Sequence, residues 1–215
     1  MADPDGYLTE PYQTAAQQRE ASFLGMWLFL ATEIMMFGVL LLVIYYYRLQ
    51  HPEAVGEAVQ HLHSILAGFY SALLLTGSLC MSLMVQASRL GHYRRVQQWL
   101  LLSAFFGLAF LGGKFFEYGW EYHEGLLPGI GPESPLENPA ARLFMNIYFF
   151  ATALHAVHLT IAVVIVLGMV GRIHFAHMKL PERAITLEMF GLYWHLVDVI
   201  WIFLYPSLYL VGRAA

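Results

Sequence analysis

The sequence has little charge and almost no cysteine. Only 12% of its 215 residues are charged, against roughly 25% in a typical soluble domain, whereas 59% are hydrophobic. The single cysteine, Cys80, excludes an internal disulfide framework and a thiolate metal cage. The formal net charge of -4 comes with no basic stripe, so we expect no nucleic-acid partner. This composition predicts a membrane protein.

Residues 1–21 lack the apolar core of a cleaved secretory signal. They carry four acidic side chains, Asp3, Asp5, Glu10 and Glu20. The first hydrophobic run is therefore predicted to be a permanent membrane anchor. The rest of the sequence has neither a phosphate-binding loop nor the alternating pattern of a membrane β-barrel.

Five long apolar runs fill most of the chain. Each is long enough to cross the hydrocarbon core of a bilayer, which takes roughly 20 residues. Because lipid admits only helices and closed barrels as spanning structures, these runs predict helices. The predicted spans are 22–47, 65–88, 97–119, 144–170 and 190–211. We expect an all-α fold, a polytopic bundle of five transmembrane helices that forms a single membrane domain over residues 1–215.

Lysine and arginine are concentrated in the loops on one side of the predicted bundle. Seven lie on the side of the N-terminus and three on the other, a bias that places the N-terminus in the cytoplasm and the C-terminus in the periplasm. The seven are Arg19, Arg89, Arg94, Arg95, Arg172, Lys179 and Arg183, and the three are Arg48, Arg142 and Arg213. The periplasmic loop 120–143 is acidic, with Glu121, Glu124, Glu133 and Glu137, and is expected to be a solvated connector or, alternatively, to bind a basic partner.

Ionisable side chains inside the spans are candidates for function, because lipid cannot satisfy them. Glu33 lies near the middle of the first span with no Lys or Arg within two turns, so desolvation favours the neutral acid. Two interpretations stay open for this carboxylate. It forms a hydrogen bond to a neighbouring helix, or it has a role in proton handling or lipid contact.

Five further polar residues are predicted to form an interhelical polar and lipid-contacting cluster. His155 and His158 are three residues apart in the fourth span and are expected to share a helix face. Glu188, His195 and Asp198 follow one face of the fifth span. We expect His195 to bond Asp198 and this stripe to meet the histidines of the fourth span.

A charged stripe, Lys114, Glu117 and Glu121, lies at the outer end of the third span. Its spacing allows ion pairs on one helix face. We expect these side chains to form a solvated helix end.

The intramembrane histidines do not suit a haem. His155 and His158 lie on one turn of one helix and cannot ligate opposite faces of a porphyrin. A mononuclear or di-iron site is geometrically conceivable, but the repeated Glu-x-x-His pairs of a di-iron bundle are absent. We therefore expect no metal and no catalytic residue in this chain.

Three separated segments resemble subunit III of the haem-copper oxidases. They are residues 27–38 (WLFLATEIMMFG), 150–158 (FATALHAVH) and 193–205 (YWHLVDVIWIFLY). Glu188 also falls where that family carries a glutamate. The resemblance implies a five-span bacterial form of cytochrome c oxidase subunit III, located in the inner membrane. It implies no cofactor in this chain except bound phospholipid, with haem and copper held by partner subunits I and II.

The resemblance also implies a role in complex stability, proton uptake and sustained turnover, with cytochrome c contacted only indirectly. Glu33 corresponds to the buried family carboxylate that reacts with a carbodiimide. Many members have seven spans, and a chain that begins at the third of them is also expected to have a cytoplasmic N-terminus. The alternatives are a quinol oxidase subunit III, a nitric oxide reductase accessory protein, a small proton-coupled transporter and a free-standing di-haem cytochrome.

Overall fold

A computed structural model describes residues 12, 14–127, 135–175, 180 and 184–210, which contain helices and turns but no strand. The helices are α1 (Ala15–Gln50), α2 (Pro52–Gln60), α3 (Ser64–Arg89), α4 (Tyr93–His123), α5 (Pro139–His174) and α6 (Ala184–Tyr205), followed by a π-helical turn, Pro206–Leu210. Five of them are long and apolar enough to cross a membrane, which confirms the predicted all-α fold with five spanning helices. Seven charged residues used above lie outside the described residues: Asp3, Asp5, Glu10, Glu133, Lys179, Arg183 and Arg213.

Local sequence signals set several helix boundaries. The Thr14 hydroxyl caps α1 by accepting a hydrogen bond from the Gln17 amide at 3.2 Å. Asn138 caps α5 in the same way, and Pro139 occupies the first helical position, where its missing N–H costs nothing. Gly91, with φ of 71°, supplies the left-handed residue that reverses the chain between α3 and α4.

Helix α2 was not predicted from the sequence, which indicated only a connector at 48–64. It is short, begins at Pro52 and buries Ala54, Val55, Ala58 and Val59. This apolar face packs mainly against α5. A nine-residue helix that lies on the bundle instead of crossing it gives no long apolar run, and for this reason the hydropathy pattern does not indicate it.

Polar contacts show which helix ends meet. Arg19 near the start of α1 and Arg89 at the end of α3 both pair with Glu188 near the start of α6. At the opposite end, the Tyr47 hydroxyl of α1 donates to the Ala140 carbonyl of α5 at 2.8 Å. The spanning helices thus alternate in direction, and we call the two ends of the bundle the Glu188 end and the Tyr47 end.

The last spanning helix is central and the first is peripheral. In the most apolar segment of α6, 61% of the residues are buried, against 17% for α1. Trp194 and Trp201 of α6 are among the largest fully buried side chains. Helix α1 therefore presents most of its apolar side chains outward, as expected for a helix that contacts lipid or another protein chain.

Candidate functional site

Glu33 of α1 is paired with His158 of α5. Glu33 Oε2 lies 3.0 Å from His158 Nε2, and both side chains are mostly buried. His158 Nδ1 lies 2.8 Å from the Leu154 carbonyl oxygen, which can only accept, so Nδ1 carries a hydrogen and donates it. One proton then remains between Glu33 and His158 Nε2, either on the acid or on the imidazole. The pair is electrically neutral in both arrangements.

The pair lies on the wall of an open groove between α1, α5 and α6, which we call the Glu33 groove. Its volume is about 450 Å³. The other lining residues are Met26 and Phe29 of α1, Ile161 and Ile165 of α5, and Thr186, Met189, Phe190 and Tyr193 of α6. The groove therefore combines an apolar wall with one shared proton.

Glu188 lies between two arginines at the Glu188 end of the bundle. Its carboxylate accepts from Arg89 Nε at 2.8 Å and from Arg19 Nη2 at 3.4 Å. Glu188 is 8% exposed, whereas the arginines are 57% and 60% exposed. More than half of each arginine side chain therefore remains exposed and open to a further ligand.

The structure does not bring the five residues of the predicted polar cluster together. His155 is fully buried, and its ring packs against Trp201 at 5.0 Å and Phe110 at 5.7 Å between centroids. Because an α-helix has 3.6 residues per turn, side chains three residues apart point about 60° away from each other. This divergence lets His155 face α4 and α6, while His158 faces α1.

The expected bond between His195 and Asp198 does not form. His195 Nδ1 lies 2.5 Å from the Ser78 hydroxyl and Nε2 lies 3.3 Å from the Ser82 hydroxyl, so the ring joins α6 to α3. The Asp198 carboxylate is buried without a hydrogen bond of good geometry among the described residues, and Ser78 is the polar group beside it. The serines were missed by the sequence reasoning, which gave weight only to ionisable groups.

The expectation of a solvated helix end for the charged stripe of α4 is wrong. Lys114 is 3% exposed, and Glu117 and Glu121 are fully buried. The predicted ion pair does form, with 3.0 Å between Lys114 Nζ and Glu117 Oε2. Tyr148 of α5 and Tyr209 of the C-terminal turn cover this face of α4 and bond the charged groups. The placement of Tyr148 seven residues before His155, on the same helix face, was a usable sequence signal for this contact.

No group of three or more His, Cys, Asp or Glu side chains among the described residues has the arrangement needed to hold a metal ion. The candidate sites consist of hydrogen-bonded and ion-paired side chains. They lie at three places: the Glu33 groove, the Glu188 end, and the buried stripe of α4.

Known proteins of similar sequence indicate the function that this arrangement serves. The family model for cytochrome c oxidase subunit III matches residues 138–213, which include α5 and α6. A quinol oxidase subunit 3 of Bacillus spizizenii is 26% identical over 208 residues, 96% of this chain and 95% of the relative. A cytochrome c oxidase subunit 3 of Thermostichus vulcanus is 27% identical over 190 residues, 88% of this chain and 87% of the relative.

These matches confirm the resemblance to the haem-copper oxidase subunit III family that the sequence motifs indicated. Together with the five apolar helices, this similarity supports a multi-pass protein of the bacterial membrane. The similarity also implies association with other oxidase subunits. The segment of this chain that the family model matches contains His155, His158, Glu188, His195 and Asp198. Glu33 and the α4 stripe lie before that segment.

Proposed function

We propose that this chain is a non-catalytic subunit of a proton-pumping oxidase and packs against subunits I and II. The observation that carries the proposal is the Glu33–His158 pair, a shared proton on the wall of an apolar groove. In this role the chain contributes no redox centre. It stabilises the complex, holds lipid and supports the environment of proton entry.

The Glu33 groove suits the acyl chain of a phospholipid, because its walls are made largely of Met, Ile and Phe side chains. Arg19 lies seven residues before Met26 on α1, and Glu188 directly precedes Met189 on α6, so the arginine pair lies toward the groove from the Glu188 end. The half-exposed guanidinium groups of Arg19 and Arg89 suit the phosphate of a headgroup. By the bias of Lys and Arg in the loops, this end faces the cytoplasm.

A groove-filling variant tests lipid binding. Ile161→Trp places a large ring in the groove, whereas Val164→Trp makes the same kind of change on the exposed outer face of α5. We expect the complex with Ile161→Trp to retain less phospholipid by mass spectrometry and to inactivate sooner during turnover. The complex with Val164→Trp should match the wild type in both measurements. Equal lipid content in the two variants would contradict the proposal.

The electron donor is a separate question, because it binds to other subunits. We propose cytochrome c as the donor, in line with the matching family model. Quinol is the second candidate, since relatives named quinol oxidase subunit 3 align over 96% of this chain in Bacillus spizizenii and 90% in Staphylococcus epidermidis. Oxygen consumption by the purified complex, measured with reduced cytochrome c and then with a quinol, distinguishes the two.

A further inference from the structure

The buried stripe of α4 contains a lysine and two glutamates at positions where packing alone would favour apolar side chains. Lys114, Glu117, Glu121, Tyr148 and Tyr209 all lie within the bundle, and none is more than 3% exposed. The rings of four aromatic residues surround the Lys114 ammonium, with centroids 5.1 to 5.7 Å from Nζ. Such a cage favours a charged lysine.

One assignment of the hydrogen atoms uses every donor of this cluster, in which the Tyr148 hydroxyl also lies 2.8 Å from the Tyr209 hydroxyl and 3.2 Å from Glu117 Oε1. The Lys114 ammonium has three, and it donates to Glu117 Oε2 at 3.0 Å, to the Tyr148 hydroxyl at 3.1 Å and to the Tyr209 hydroxyl at 2.7 Å. Each tyrosine keeps one hydrogen to donate. Tyr209 donates to Glu117 Oε1 at 2.7 Å, and Tyr148 donates to Glu121 Oε1 at 2.8 Å. Every donor is used, and Glu121 Oε2 alone is left without a partner in the cluster.

The charges of the cluster do not balance when all its groups are ionised. One ammonium faces two carboxylates, which leaves one negative charge in a site shielded from water. Glu121 Oε2 is buried without a hydrogen bond, the environment in which an ionised oxygen is most costly. One bound proton restores neutrality.

No second cation pairs with these carboxylates in the described part of the chain: Arg48 of α1 bonds the Ser207 carbonyl, and Arg142 of α5 bonds the Leu136 carbonyl. The other titratable groups that face the cluster are Tyr70 of α3, Tyr118 of α4, His155 of α5, and Glu124 just beyond α4. Lys114 is the only cation in an ion pair with these carboxylates in the described part of the chain. Among the described residues, a bound proton is therefore what compensates the second carboxylate.

We propose that Lys114, Glu117 and Glu121, together with Tyr148 and Tyr209, form a buried site that binds one exchangeable proton at the Tyr47 end of the bundle. The proton resides on the two glutamates, chiefly at Glu121. Because Glu121 lies in the last turn of α4, the site exchanges its proton with water on that side of the membrane. It is separate from the Glu33–His158 pair, which joins α1 to α5.

Infrared spectroscopy of the assembled complex counts the protonated carboxylic acids through their carbonyl band. Subtracting the spectrum of Glu121→Gln from that of the wild type removes the contributions of Glu33 and Asp198. We expect Glu121→Gln to lose one acid band and Lys114→Met to gain one, because removing the cation requires a second proton. The band lost in Glu121→Gln should shift in deuterium oxide. Glu188→Gln is the control, because Glu188 is paired with arginines and should leave the acid bands unchanged.

Glu117→Gln gives a test that does not depend on the folding of Lys114→Met. With one carboxylate left beside Lys114 the charges balance, so this variant should also lose the acid band. The proposal is overturned if Glu121→Gln leaves the acid bands unchanged, if the lost band does not shift in deuterium oxide, or if Glu117→Gln retains it. An assembled Lys114→Met complex with no additional band would overturn it as well.

Discussion

His158 holds Glu33 through a hydrogen bond of 3.0 Å between residues 125 positions apart in the sequence. Because His158 Nδ1 is committed to the Leu154 carbonyl, Nε2 is the atom that faces the carboxyl group. The bond joins the peripheral helix α1 to α5 at the Glu33 groove. It satisfies a carboxyl group that lipid alone could not accommodate.

Replacing Glu33 by Gln should preserve assembly, because the amide keeps the shape of the acid and can still bond His158 Nε2. If the role of Glu33 is indirect, the variant complex retains most of its initial turnover and inactivates faster over many cycles. Oxygen consumption and proton release are followed over time in reconstituted vesicles. Immediate and complete loss of pumping with intact assembly would instead identify Glu33 as an obligatory proton relay.

Replacing Glu33 by Ala should be more harmful than replacing it by Gln. Alanine removes the bond and leaves His158 Nε2 without this partner, at about 0.6 kcal/mol per interhelical bond and up to ~2 kcal/mol. Thermal unfolding of the purified complex measures the difference. Equal melting temperatures for the two variants would show that the hydrogen bond contributes nothing to stability.

His195→Phe should weaken the contact between α6 and α3, because it removes the bonds to Ser78 and Ser82. Each interhelical bond is worth about 0.6 kcal/mol, so we expect a loss of roughly 1 kcal/mol in stability with initial turnover preserved. His92→Phe is the control, since His92 is exposed at the start of α4 and makes no side-chain cap. Normal assembly with abolished turnover in His195→Phe would indicate a catalytic histidine.

The spans and the most unusual residues could be predicted from the sequence, because both are local properties. Five apolar runs indicate five helices, and an acid such as Glu33 stands out within one of them. The partners could not be predicted, because His158 reaches Glu33, and Tyr209 reaches Lys114, from distant parts of the chain. The α4 stripe was misread for this reason: its spacing indicates an ion pair but not what covers it.

Removing either arginine partner of Glu188 should have only a modest effect on stability. Its arginine partners are more than half exposed, and exposed ion pairs contribute about 0 to 1 kcal/mol. We expect Arg89→Ala to cost more than Arg19→Ala, because its bond is 2.8 Å long against 3.4 Å. Melting temperatures at low and high salt check both the order and its decrease with screening. A larger effect of Arg19→Ala at low salt would contradict this order.

Two glycines of α4 give a matched test of close packing in the bundle. A Cβ at Gly107 would lie 2.8 Å from Val163 Cγ2 of α5 and 3.1 Å from Trp194 of α6, whereas a Cβ at Gly112 meets nothing within 4 Å. Gly107→Ala should therefore destabilise the bundle by about 1–3 kcal/mol, the usual cost of overpacking. Gly112→Ala adds the same methyl group to the same helix and should be neutral or stabilising, since alanine favours helix by about 1 kcal/mol over glycine. Thermal unfolding of the two variants in the same detergent measures the difference. A Gly107→Ala protein as stable as Gly112→Ala would show that α4, α5 and α6 are packed less closely here than the structure describes.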